Sequence, residues 1–62
     1  MNKTALLFDL IWFVNSKKEF TARDIANEFN ISVRTAHRYI TDLSDIGIPI
    51  YSKQGRNGGY KV

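Results

Sequence analysis

The 62-residue sequence has no cysteine, one proline, one histidine and only six acidic residues. Without cysteine there is no disulfide framework, no zinc ribbon and no thiol nucleophile, and a reducing cytoplasm is the natural setting. The single histidine, His37, has no second histidine or cysteine to complete a metal site, so neither metal nor cofactor is expected. Long apolar runs are missing too. Residues 5–14 (ALLFDLIWFV) are apolar at nine of ten positions, but a bilayer span needs about 20, and this run carries Asp9. Asn15-Ser16-Lys17-Lys18 follows instead of a small-residue cleavage site, which argues for a soluble helix over a signal peptide. A chain of this length has room for one domain, residues 1–62, and too little chain to wall an enclosed active site. With no nucleophile–base pair visible, an enzyme is not expected.

Leu, Ile, Val and Phe supply 18 residues, too many for a disordered chain. The net charge of +3 is unevenly placed. Residues 1–31 carry four basic side chains against four acidic ones, which sums to zero. Residues 32–62 carry Arg34, Arg38, Lys53, Arg56 and Lys61 against Asp42 and Asp45, so 5 − 2 accounts for the whole +3. Such asymmetry points one end at a polyanion.

Periodicity predicts three helices and then a hairpin. The first helix is expected over about Thr4 to Asn15, with Leu7, Leu10, Ile11 and Val14 as its core stripe. Residues Asn15 to Glu19 are polar and read as a loop. Thr21 is an N-cap candidate, with Asp24 favouring the helix start electrostatically. Ala22, Ile25, Ala26 and Phe29 follow at i, i+3, i+4, i+7, a short amphipathic helix that Asn30 can close in left-handed conformation. Ser32 is a second N-cap. Beyond it Val33, Ala36, Ile40 and Leu43 share a face, with Tyr39 and Ile46 beside them, until Gly47 and Pro49 end the helix. Ile48, Ile50 and Tyr51 then read as a strand, Gly55-Arg56-Asn57-Gly58-Gly59 as a turn, and Tyr60-Lys61-Val62 as the returning strand.

Two helices joined by a tight turn, the second opening on a serine cap, make a helix-turn-helix. The fold expected is therefore mainly α with a small β-hairpin: a winged helix-turn-helix of three helices plus a wing. A helix entering the major groove of duplex DNA presents its N-terminal half to the bases and needs donors there. Outside the core stripe, residues 33–46 and their cap offer Ser32, Arg34, Thr35, His37, Arg38 and Thr41, with no acidic residue before Asp42. The wing, residues 51–61, adds Lys53, Gln54, Arg56, Asn57 and Lys61 around a glycine-rich tip suited to phosphates or the minor groove. The DNA-contact set is thus Ser32, Arg34, Thr35, His37, Arg38, Thr41, Lys53, Arg56 and Asn57. Two competing chemistries are weaker. Gly58-Gly59 lacks the Gly-Lys-Ser/Thr and the following helix of a phosphate loop. Tyr39, Tyr51 and Tyr60 could stack on bases, but their spacing favours core or core-rim packing.

Residues 31–62 (ISVRTAHRYITDLSDIGIPIYSKQGRNGGYKV) resemble the N-terminal winged helix-turn-helix of WYL-domain transcriptional regulators, often described as DeoR-like. The resemblance is carried by Ser32, Arg34-Thr35, Arg38, Leu43, Gly47-Ile48-Pro49 and the wing from Gly55 through Gly58-Gly59-Tyr60. Upstream, Thr21-Ala22 with Ile25-Ala26 matches as well, so it covers roughly residues 5–62. More distantly, the sequence is similar to the DNA-binding domain of the biotin repressor. The resemblance implies a regulator, such as a repressor, that occupies operator DNA. Two departures stand out. Family members usually carry an acidic residue directly after the second arginine, where this chain has Tyr39. The family also continues into a ligand-sensing domain, whereas these residues stop at Val62; an excised domain and a small stand-alone protein both fit.

The first helix carries more apolar surface than one core can use. Beyond its stripe it holds Leu6, Phe8, Trp12 and Phe13, and a helix apolar nearly all round is normally buried all round. A homodimer through these four residues is the expectation; a missing C-terminal domain is the other cover that fits. The rival reading from another class is a winged-helix protein-interaction module, for example an anti-repressor that binds a regulator instead of DNA.

Overall fold

Caps set the helix boundaries. The computed structural model describes residues 3–53 and 58–62. Helix α1 (Lys3–Lys17) runs two residues beyond Asn15, because Asn15, Ser16 and Lys17 are polar without being breakers. It stops at Lys18, which turns left-handed at φ 69° and donates its N–H to the Val14 carbonyl at 2.9 Å. Helix α2 (Ala22–Phe29) opens on a full capping box. The Thr21 hydroxyl accepts from Asp24 N at 3.0 Å, and Thr21 N donates to the Asp24 carboxylate at 2.9 Å. Asn30 closes α2 at φ 55°, as its side chain allows. Helix α3 (Val33–Asp45) begins two residues after that, on Ser32. It ends in a Schellman turn: Gly47, at φ 98°, donates to Ser44 O and Ile48 to Leu43 O.

Nine residues form the core: Leu10 and Val14 from α1, Phe20, Ala22, Ile25 and Ala26 around α2, and Ala36, Ile40 and Leu43 from α3. The helical stripes thus converge as their spacing requires, with two corrections at the ends of α3. Val33 is 41% exposed, because it is the first helical residue and its side chain leans away from the core toward the open N-terminus. Ile46, the C-cap, is 58% exposed where the chain leaves the helix, and it lies beside α1. Among the described residues no helix is long and apolar enough to cross a membrane.

The polar stretch after α1 is not wholly loop. Glu19–Phe20 forms strand β1, which pairs with β3 (Tyr60–Lys61), and β3 pairs with β2 (Tyr51–Ser52), all antiparallel in the order β1-β3-β2. Strand β2 is shorter than expected. Pro49 has no N–H to give, and the Ile48 N–H is taken by the end of α3, so Ile48 and Ile50 pack partly against the core instead. Tyr51 is exposed, contrary to its expected core-rim place, whereas Tyr39 and Tyr60 do pack against the core. The Tyr60 ring stacks on buried Phe20 at 5.8 Å between centroids. Gly59 makes this close approach possible. A Cβ there would stand 2.7 Å from the Phe20 carbonyl oxygen, and its φ of 104° is one that side chains rarely adopt. Three helices with a short antiparallel hairpin, its returning strand clipped to β1, make the winged helix-turn-helix architecture.

Candidate nucleic-acid interface

The second and third helices meet through Asn30-Ile31-Ser32, and α3 displays a polar outer face from its first turn. Arg34, His37 and Arg38 are exposed there, along with Thr41, while Thr35 is half-buried. The hydroxyls are partly committed to the helix itself. Ser32 Oγ accepts from Thr35 N at 3.0 Å and donates to Thr35 Oγ1 at 2.9 Å, which leaves Thr35 its own O–H. Thr41 donates back to the His37 carbonyl at 3.2 Å. The two arginines and His37 are therefore the long-reaching donors of this face. Asp42 and Asp45 lie beyond them, near the C-terminal end of α3.

The wing leans on α3 through His37. Its Nδ1 lies 3.3 Å from the Tyr60 hydroxyl, and the rings meet edge to face at 6.3 Å. Phe20, Tyr60 and His37 thus form a chain of ring contacts from β1 across β3 to α3. Beside it opens a cleft of about 460 Å³ lined by Arg23, Val33, His37, Lys53 and Tyr60, among others. Arg23, exposed near the start of α2, was not singled out by sequence; the cleft joins three segments far apart in the chain, and no local pattern announces it. Lys53 N donates to Gly59 O at 2.7 Å, closing the hairpin, while its ammonium is hydrogen-bonded to the Glu19 carboxylate. That hydrogen bond and the Lys53 charge, helped by Lys61, hold the Glu19 carboxyl below the usual range. Gln54, Gly55, Arg56 and Asn57, the expected wing tip, lie outside the described residues.

On α1 the four supposedly outward residues divide. Phe8 and Trp12 are 68% and 78% exposed. Leu6 and Phe13 are half-buried against the core, a correction to their expected outward place. Phe13 stands edge-to-face with Phe29 at 5.7 Å, and Lys17 Nζ sits 5.5 Å from its ring centre.

The profile of the HTH domain family matches residues 6–61, nearly the whole chain. The chain belongs to the HTH domain family. It is also similar to the uncharacterized HTH-type transcriptional regulator YobV of Bacillus subtilis (strain 168), with 39% identity over 60 residues, 97% of this chain. The chain spans 19% of that relative's length. No solved structure gives a significant match. Membership in the HTH domain family agrees with α2, the Asn30–Ser32 turn and α3 as its two helices and connection.

Proposed function

We propose that the chain is a sequence-specific DNA-binding domain of a transcriptional regulator, acting on double-stranded DNA and not as an enzyme. Helix α3 lies in the major groove, with Arg34, Thr35, His37 and Arg38 toward base edges and Ser32 and Thr41 flanking them. The wing contacts the backbone or the minor groove through Lys53, Arg56 and Asn57. One observation supports this most: the exposed face of α3 carries two arginines and a histidine ahead of any acidic residue, and a wing packs beside it. Occupying an operator in the cytoplasm makes repression the simplest outcome. The HTH-type regulator to which the chain is similar supports the regulatory part.

A second copy of the chain is the proposed partner of α1. Phe8 and Trp12, one turn apart, are its anchors, and the half-buried Leu6 and Phe13 offer it only what the core leaves exposed. Selection of binding sites from random duplexes, repeated over a salt series, tests the reading. An enriched sequence with affinity falling steeply in salt is expected. Failure to bind any duplex at low salt would overturn it in favour of a protein-interaction module.

A further inference from the structure

We infer that Glu19 is an internal competitor for DNA phosphate: its carboxylate occupies the Lys53 ammonium on the wing and so limits the affinity of the chain for duplex DNA. This rests on the DNA-binding reading above. Glu19 and Lys53 come from opposite sides of the sheet, since β1 and β2 are its two edges and Lys53 directly follows β2. The Lys53 side chain must therefore reach past β3 to meet Glu19, and Lys61 on β3 is the cross-strand neighbour of Glu19 in between. One carboxylate thus faces both lysines of the described wing. The same Lys53 also lines the cleft beside His37 and Val33 of the recognition helix, where a groove-bound duplex brings its backbone.

Both partners are exposed, so water and salt screen the pair and it holds Lys53 only weakly. A phosphodiester can take the place of the carboxylate. The exchange swaps one anion for another, so the Lys53 ammonium must leave Glu19 before it can meet a phosphate. The pair is strongest at low salt, where screening is least, so the competition is felt most there. Removing the carboxylate leaves the ammonium free for that contact at every salt concentration.

The test uses four versions of the whole chain: wild type, Glu19→Gln, Lys53→Ala and the double variant. All sites are exposed, and far-UV circular dichroism verifies that each folds. The probe is a duplex of random sequence, titrated across a tenfold range of salt. Glu19→Gln should bind more tightly than wild type, by at most about fivefold, and its advantage should grow from the highest salt to the lowest. In the Lys53→Ala background the same change should give no salt-dependent gain. No gain for Glu19→Gln, or an equal gain without Lys53, overturns the inference, the latter showing a general charge effect. Should none of the four bind, the DNA reading falls and the inference with it.

Discussion

Arg34 sits one residue into α3, exposed, and its neighbours Ser32 and Thr35 are occupied in capping. A guanidinium in that place can bond guanine bidentately, as the hydroxyls beside it cannot. Arg34→Ala should cost about 1–3 kcal/mol on the selected site and relax preference at one base position. Equal losses on selected and random duplexes would assign Arg34 to a phosphate. Gly59 is the residue with least latitude. Gly59→Ala places a methyl against the Phe20 carbonyl and forces a conformation costing roughly 1–2 kcal/mol before any clash. A fall in thermal midpoint of several degrees is expected, whereas Gly58→Ala meets no atom within 4 Å and should lower it less.

Among the elements, α2 and α3 were legible in the sequence because their signals are local. Thr21 with Asp24, Asn30, Ser32 and Gly47 each act within three or four residues of themselves, and each caps where expected. Strand β1 was not legible. Two residues carry no period, and Glu19–Phe20 is extended only because Tyr60–Lys61 pairs with it. The donors of α3 were legible as a polar face, but the engagement of Lys53 by Glu19 and the shared cleft of Arg23 and His37 join residues 34 and 14 positions apart. Helix α1 was half legible. Its excess of apolar residues is real, yet Phe29 claims Phe13, and only Phe8 and Trp12 stay bare. Changing both to polar residues should convert a dimer to a monomer in sedimentation while leaving helix content intact. A wild-type chain that sediments as a monomer at micromolar concentration would end the α1 dimer.

For the whole molecule, a module of this size covers only about 600–1,000 Å² on DNA, so doubling over two half-sites is the usual route to useful affinity. A dimer through Phe8 and Trp12 should therefore select a two-fold palindrome whose half-sites lie about one helical turn, or a multiple of it, apart. A single asymmetric site would show that the chain reads DNA alone.

Pairing between Phe20 and Tyr60 ties together residues 40 positions apart, while α2 and α3 pack as sequence neighbours. Closing that long loop is slow relative to forming the helices, so the three-stranded sheet should assemble after the helical core has collapsed. By the same logic it should open first. In native-state hydrogen exchange, the amides of Lys53 and Val62, bonded to Gly59 and Lys18, should exchange well before those of Ile40 and Leu43. Equal protection would mean that sheet and helices open as one unit. If the order holds, the chain can lose its wing without unfolding, and the recognition helix alone would make first contact with DNA while the wing closes afterwards.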